Sequence, residues 1–420
     1  MVLSSKSDTV LVVKKVIYTA LILFIFVLGR HILIPGVDTK QILAFSSDPY
    51  LFQFVSGATG GDLSTLSLFS LGLGPWMSAA ILWRILTLGK KTELKKLPTE
   101  RAYIFKIVIA IIIATVQALA ISTNTAVVNA NIFWAQNKLT STVIVTLIMT
   151  TGSVFLIWLS NMNDQLGIGG PVVLILAGML IRWPAIATQY VIETFSAGIE
   201  MVDMIKIVII ILGVILLIRL SVTMQRAELR LPIKNILSDN DFSSKTYLPI
   251  QINPAGGMPL MYAMTLIVLP QYLLQLLNYW FPKNDILTLL IKNFSISEPM
   301  GITVYILILV ILCVGFAFIN IDPEQISEDL QQAGDYIEDV TPGKKTKEYL
   351  TQIVFNFSMI GAAYICLIAG FPLYLGIGNP DVTQVVLATG TVIILVSMVT
   401  NINDQIRALL NKHNYDSLLD

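Results

Sequence analysis

Ten apolar runs, each about as long as a membrane-spanning helix, constrain this chain more than any other feature of its sequence. A helix needs about 20 mostly apolar residues to cross the hydrocarbon core of a bilayer. Hydrophobic residues make up 55% of the chain and charged residues only 13%, whereas a typical soluble domain has about 25% charged residues. We therefore expect an all-α polytopic membrane protein with ten transmembrane helices. The runs lie near residues 16–34, 68–88, 103–122, 140–160, 171–190, 203–221, 256–277, 300–320, 352–374 and 383–402.

The distribution of Lys and Arg predicts the orientation of the chain. An even number of spans places both termini on one side, and the loops on that side hold 18 of the 27 Lys and Arg residues, against seven in the opposite loops. Cytoplasmic loops carry the excess of positive charge, so both termini are predicted to be cytoplasmic. Ten spans also divide into two halves of five, which would then be inverted repeats. The predicted parts are a cytoplasmic N-terminus over 1–15, five-helix halves over 16–202 and 203–402, and a cytoplasmic tail over 403–420.

The stretch 56–86 changes character along its length. It begins as a polar, glycine-rich run and then becomes apolar, with no charge between Asp62 and Arg84. The first part is too polar to face lipid, and irregular backbone at membrane depth survives only where it is buried in protein or lines a watery cavity. We therefore predict a half-inserted segment that leads into a spanning helix at the centre of a pore.

The loop 222–254 is long enough to fold on the predicted cytoplasmic side. It contains RLPIKNIL and TYLPIQIN on either side of the turn-prone sequence SDND, a pattern that predicts a β-hairpin. Its two prolines, Pro232 and Pro249, have no N–H to donate and are therefore expected on free strand edges.

The loop 321–350 is predicted to contain a short helix. Asp322 can cap its start, Pro323 fits its first turn, and Gly334 can end it. A stripe of apolar residues is expected on one side of this helix, formed by Ile326, Leu330 and Ala333.

Several kinds of chemistry are missing from the sequence. No Asp or Glu lies in the middle of an apolar run, and no catalytic or phosphate-binding motif is present. The two cysteines and two histidines have no metal-ligand spacing. We therefore expect no catalytic residue, metal site or cofactor. Any energy that the protein uses is expected to come from a partner or a gradient. The basic loops are explained by membrane orientation, without nucleic acid.

Several patches of sequence, in order along the chain, resemble one family. They are GRHILIPG at 29–36, TGGDLSTLSLFSLGLGPWMSAAI at 59–81, GIGG at 167–170, YLPIQINPAGGMP at 247–259, INIDPEQISEDLQQAGDYI at 319–337, TPGKKTKEYL at 341–350 and IGAAYICLIAGFP at 360–372. Each patch is modest alone, but their order and spacing are similar to those of SecY, the protein-conducting channel of the bacterial plasma membrane. The resemblance implies two inverted five-helix halves, a plug segment and a cytoplasmic hairpin loop.

Departures from the main family point to a subtype. Thr341 and Thr65 stand where the main family usually has arginine. The chain is more similar to the accessory, second SecY of Gram-positive cocci. That resemblance implies a dedicated SecA-like ATPase motor, SecE-like and SecG-like small membrane subunits, and secretory preproteins that are serine-rich glycosylated adhesins. A general housekeeping SecY is the alternative.

The resemblance also implies roles for individual residues, each of which ordinary packing or topology would also explain. The pore ring would comprise Leu73, Met77, Met261 and Leu395, with Leu174, Ile175 or Leu176 from the fifth run. The plug, over 50–66, would include Phe54, Gly57, Gly60, Gly61 and Asp62. Polar residues of the lateral gate would be Gln117 and Asn320. The motor would dock on Arg226, Arg230, Lys234, Lys344, Lys345 and Lys347.

Two other classes of protein share part of this pattern. A secondary transporter with an inverted repeat would have the same number of spans, but it needs ion-coupling polar groups near the middle of the membrane, and the apolar runs have no acidic residue there. A membrane scaffold would have the spans without any conductance.

Overall fold

A helix forms within every predicted apolar run. The computed structural model describes residues 4–35, 59–62, 66–87, 98–124, 138–181, 201–235, 246–281, 284–378 and 380–411. Seven of the described helices are long and apolar enough to cross a membrane, which confirms an all-helical membrane protein, while the number ten stays a prediction. The helices are α1 Ser4–His31, α2 Gly74–Thr87, α3 Thr99–Asn124, α4 Lys138–Leu166, α5 Gly170–Ile181, α6 Met201–Arg226, α7 Met258–Trp280, α8 Asp285–Asn293, α9 Pro299–Asn320, α10 Pro323–Ala333, α11 Lys344–Ile365 and α12 Pro380–Asn411.

The chain forms two compact units. The first unit comprises Met1–Ile207, Met264–Ile302 and Met398–Asp420, and the second comprises Val208–Ala263 and Thr303–Ser397. In the first unit, α3 packs against both α2 and α4. Ala110, Ala114 and Ala118, which recur every fourth residue on α3, have no exposed surface. Small side chains at this spacing let helix backbones approach closely, and they give the first unit a dense core.

The predicted hairpin of the second unit is confirmed. Strand β1 (Glu228–Asn235) pairs antiparallel with β2 (Tyr247–Gln251). The backbone N–H of Ile233 donates to Thr246 across the pair at 3.0 Å, so the N–H groups of odd-numbered β1 residues face β2. Pro232 and Pro249 therefore occupy positions where the backbone nitrogen faces away from the partner strand, as residues without an N–H must.

A third strand, β3 (Asp335–Ile337), extends the hairpin into a sheet of order β2-β1-β3. It follows α10, whose predicted ends are confirmed. Asp322 Oδ1 accepts from the backbone N–H groups at 324 and 325, and Gly334 ends the helix with φ +73°. Of the predicted stripe, Ala333 is exposed because the helix turns into β3 there. The small core under the sheet comprises Leu231, Ile250, Ile337 and Leu350, with Ile326 and Leu330 packed against it.

Helix α11 ends in a wide turn rather than a straight helix. Residues Cys366–Gly370 form a π-helical turn and Phe371–Gly376 a 3-10 turn. Pro372 has no N–H to offer the carbonyl of Ile368 four residues earlier. The hydroxyl of Thr389, on α12, donates to that carbonyl at 3.4 Å instead. The sequence therefore bends α11 at a fixed place without leaving this carbonyl unpaired.

Candidate functional sites

The glycine-rich segment 59–62 lies directly on the backbone of α5. Gly60 has φ +74°, and a Cβ added there would lie 3.1 Å from the Cα of Ile175. A Cβ added at Gly178 would lie 2.5 Å from the Cα of Gly60. Only two facing glycines permit so close an approach between backbones. Residues 59–62 are therefore fitted against α5 at one place.

A buried ion pair fastens the same segment to the end of α1. Arg30 Nη2 lies 3.0 Å from Asp62 Oδ2, and the two residues are only 5% and 8% exposed. Arg30 Nη1 donates to the carbonyl of Gly178 at 3.0 Å. One guanidinium thus joins α1, the segment and α5. A buried charge is stable only with such partners, so this geometry depends on all three.

The segment also joins the start of α2. The backbone N–H of Leu73 donates to the carbonyl of Thr59 at 2.9 Å. Gly72 has φ +59°, and a Cβ there would lie 2.6 Å from the Thr59 carbonyl oxygen. Leu66–Leu68 pair with Ile32–Ile34 through two backbone hydrogen bonds of 3.0 and 2.9 Å. The irregular stretch before α2 is therefore held in protein rather than in lipid, as its polarity predicts.

Only some of the predicted plug residues lie in this packing. Gly60, Gly61 and Asp62 are buried in this packing, whereas Phe54 and Gly57 lie outside the described residues. Arg30, one of the seven basic residues in the loops opposite the predicted side of the termini, is a central residue of this packing. An arginine at the end of an apolar run is the signal that could have found it, since a charge at that position needs a partner.

The predicted ring residues fall into both units. Leu73, Met77, Leu174 and Ile175 are buried in the first unit. Leu73 directly precedes α2, and its carbonyl accepts from the N–H of Met77, one turn later, at 3.0 Å. Met261 is buried in the second unit, while Leu395, also in that unit, and Leu176, in the first, are half-buried. Their convergence into one ring stays a prediction.

A polar cluster at the α4–α5 turn sets the direction of α5. Asn163 Nδ2 donates to the carbonyls of Ile168 and Gly170 at 3.0 and 2.8 Å. Thr19 Oγ1 accepts from the N–H of Ile168 at 2.9 Å, and Gln405 Oε1 accepts from the N–H of Gly169 at 2.8 Å. The glycine run of this turn is recognisable in the sequence, whereas the three side chains that hold it are not.

The two predicted gate residues are placed differently. Gln117 is buried in α3. Asn320, the last residue of α9, is exposed, and its Nδ2 donates to the carbonyl of Pro254 at 2.8 Å. That bond ties the end of α9 to the turn before α7. A role for either residue in a lateral gate stays a prediction.

The predicted docking cations cluster around the hairpin, in a region that we call the hairpin platform (Arg226 at the end of α6, β1–β3, α10 and the first turn of α11). Three of them are paired: Arg230 with Glu228 at 2.8 Å, Lys234 with Glu338 at 2.6 Å, and Lys347 with Glu324 at 2.6 Å. The Glu228 carboxylate raises the pKa of Arg230 above its usual value through its hydrogen bond.

The remaining three cations of the hairpin platform are free to meet a partner. Arg226, Lys344 and Lys345 are exposed and form no ion pair within the part of the chain that the structure describes. A surface lysine with no partner among the described residues has its charge available for an acidic surface on another protein.

Relatives with similar sequences cover almost the whole chain. The SecY family model matches residues 67–402. A protein from Leuconostoc gelidum subsp. gasicomitatum is 54% identical over 408 residues, which are 97% of each chain, and is named accessory Sec system protein translocase subunit SecY2. A protein of the same name from Streptococcus salivarius is 36% identical over 410 residues, 98% of each chain.

Solved structures share the fold. A structure described as a protein conducting channel has a TM-score of 0.65 at 18% identity, covering 95% of this chain and 92% of the other. A second structure, with a TM-score of 0.66 at 18% identity and the same coverage, is a SecY whose plug domain is described as stabilising the closed state of the translocation channel. At this identity the likeness shows the fold alone.

Proposed function

The chain belongs to the SecY family, and from that membership we propose that it forms the protein-conducting channel of an accessory Sec translocase in a bacterial plasma membrane. The family match and the SecY2 relatives support this function. The proposed substrates are a few large secretory proteins, the serine-rich glycosylated adhesins. A general housekeeping SecY is the second candidate.

The contact of residues 59–62 with α5 is the observation that best supports a channel with a closed state. A plug must fit tightly enough to block ions and still be able to leave. Gly60 facing Gly178, with Arg30 bound to Asp62, supplies a close fit within the described residues. We infer that residues 50–66 are a plug seated in its closed position, a two-state element that substrate displaces.

A ring of apolar side chains would close around the translocating chain. Leu73, Met77, Leu174, Ile175, Met261 and Leu395 are the proposed members. An apolar constriction excludes water when empty, and methionine adapts to irregular surfaces because its thioether chain is flexible. The ring and the plug together would let a polypeptide cross while ions do not.

The channel needs an external motor. We propose that a SecA-like ATPase supplies the energy and docks on the hairpin platform, with both termini of this chain cytoplasmic, and that SecE-like and SecG-like subunits complete the assembly. The channel itself carries out no catalysis in this proposal.

A cysteine crosslink tests both the pore and the substrate. With Cys313 and Cys366 replaced by alanine and Met77→Cys as the single cysteine, a stalled, motor-engaged serine-rich adhesin precursor with one cysteine is expected to crosslink to position 77. A precursor of the general secretory route is expected to give no crosslink. The matched control is Leu307→Cys, an exposed apolar position on α9, where neither precursor should react.

Each outcome of that experiment has a definite meaning. Crosslinks to both precursors would make this chain a general SecY. No crosslink to either precursor, with the protein inserted and the motor engaged, would show that Met77 does not line the pore. That result would favour a secondary transporter with an inverted repeat.

Reversing two free charges of the hairpin platform tests the docking of the motor. Lys344→Glu/Lys345→Glu is expected to lower the affinity for the motor by about tenfold or more at low salt and by less at high salt, because exposed charges act through screened attraction. Lys347 is left unchanged since it already pairs with Glu324. The affinity is measured by titrating the motor onto the channel in nanodiscs.

Lys292→Glu, which changes an exposed lysine in α8, is the control for that charge reversal and should leave the affinity unchanged. Normal affinity and transport in the double variant would show that the motor docks elsewhere.

A further inference from the structure

Helix α8 lies close to the end of a spanning helix. Helix α7 runs from Met258 to Trp280, which at 1.5 Å per residue gives about 33 Å, enough to cross the roughly 30 Å hydrocarbon core. Trp280 therefore lies near one membrane surface. Asp285, the first residue of α8, follows Phe281 by four positions, and four residues reach about 14 Å at most. Helix α8 must then lie close to that surface as well.

The residues of α8 divide among three sides of the helix. Leu287, Leu290 and Ile291 are half-buried against the protein. Ile286 and Leu289, three residues apart, are 68% and 59% exposed.

The third side of α8 is polar. Asp285, Thr288 and Lys292, at the spacing i, i+3 and i+7, are exposed. Residues at this spacing share one side of a helix, so α8 presents separate apolar and polar exposed sides.

An exposed apolar stripe runs along α7 to the end that precedes α8. Leu273, Leu277 and Trp280, at the spacing i, i+4 and i+7, are exposed. Phe281 is also exposed and follows at the helix end. Because α7 is a spanning helix, its exposed apolar stripe faces lipid, and Trp and Tyr are typical of the membrane interface where it ends. Four residues, PKND at 282–285, lead from the end of that lipid-facing stripe to the exposed apolar side of α8.

Helix α8 is held in a fixed orientation rather than hanging from a loop. Asn284 Oδ1 caps its start by accepting from the N–H of Ile286 at 3.1 Å. After its last turn, Gln271 Nε2 on α7 donates to the carbonyl of Phe294 at 2.7 Å. The next residues, Ser295 and Ile296, are buried. The N–H of Asn284 also donates to the carbonyl of Phe281 at 3.3 Å, so bonds at both ends of α8 join it to α7 or to the residue that follows α7.

We propose that α8 is an interfacial anchor, with Ile286 and Leu289 inserted at the boundary between lipid headgroups and acyl chains and with Asp285, Thr288 and Lys292 in water. An amphipathic helix that lies in the membrane plane buries its apolar side to that depth. The partner of this surface is the lipid bilayer, on the side where α7 ends. The anchor would hold the α7–α9 connection at a constant depth.

Spin labels on the two exposed sides test the proposal. Single cysteines are introduced by Ile286→Cys, Leu289→Cys, Thr288→Cys and Lys292→Cys, with Cys313 and Cys366 replaced by alanine, and the labelled full chain is placed in nanodiscs of phosphatidylethanolamine and phosphatidylglycerol. Oxygen, which concentrates in lipid, should relax labels at 286 and 289 several-fold more strongly than a water-soluble nickel complex does. The order should reverse at 288 and 292.

Two results would overturn the interfacial anchor. Strong relaxation by the nickel complex at all four positions would place α8 in water. Protection of positions 286 and 289 from both reagents would mean that a protein surface covers them. An unfolded variant is recognised by its thermal unfolding curve in detergent, measured for each labelled variant beside the unlabelled parent.

Discussion

Replacing Asp62 with leucine is expected to make the closed channel leak ions. Arg30 binds both Asp62 and the Gly178 carbonyl, and the variant leaves its buried guanidinium with only the second of these two partners. Breaking a buried ion pair by removing one partner costs about 3–5 kcal/mol. The seated plug bears this cost, and a displaced plug, with Arg30 hydrated, avoids it. At 1.4 kcal/mol per factor of ten, the balance shifts toward the open channel by about 100-fold or more.

The double variant Arg30→Met/Asp62→Leu separates charge from shape. Methionine and leucine fill comparable space and leave no buried charge, and such replacements of buried ion pairs are often neutral or stabilising. Both single variants, Arg30→Met and Asp62→Leu, should therefore leak, while the double variant should be close to the parent channel.

Ion flux into liposomes that contain the purified channel measures this cycle, and a thermal unfolding curve in detergent shows whether each variant is folded. If the singles are as tight as the parent, the ion pair does not hold the plug. If the folded double variant leaks as much as the singles, the Arg30–Asp62 pair has a role other than balancing charge.

Local chemistry made parts of this fold predictable. Asp322 and Gly334 bound α10 because capping depends on residues within one helical turn. The hairpin follows from two β-type runs around a turn. Strand β3 was missed because its three residues pair with β1 about 100 positions away, and three residues give no detectable alternation.

The contacts of residues 59–62 were likewise predictable only in part. The polarity of 56–62 predicts that this stretch is sheltered from lipid, and residues 59–62 are buried. The sequence does not show which charge Asp62 meets, because its partner Arg30 is 32 residues away and is separated from it by irregular backbone. Nor does it show that Gly60 and Gly178 face each other, since a glycine has no side chain to indicate its contact. Such pairings arise only when the helices are packed.

Adding one methyl group at Gly178 is the purest steric test of the plug. A Cβ at this position would lie 2.5 Å from the Cα and 2.7 Å from the carbonyl oxygen of Gly60, and backbone atoms cannot rotate away as a side chain can. Overpacking of this kind costs typically about 1–3 kcal/mol. The alanine also favours helix, but α5 is helical whether the plug is seated or displaced, so that gain cancels. Gly178→Ala should then shift the channel toward the open state by about 5–150-fold.

The chain offers matched controls for this variant. Gly213 in α6 and Gly315 in α9 also lie within helices, and a Cβ at either position meets nothing within 4 Å. Gly213→Ala and Gly315→Ala should keep the parent's ion flux, whereas Gly178→Ala should leak and also transport precursors with weakened signal sequences faster, because substrate has less plug stabilisation to overcome. Equal flux in all three variants would mean that the contact between Gly60 and Gly178 does not determine closure. Because Gly178→Ala changes no charge, leakage there together with leakage in Asp62→Leu would show that steric fit and charge pairing stabilise the same seated plug independently.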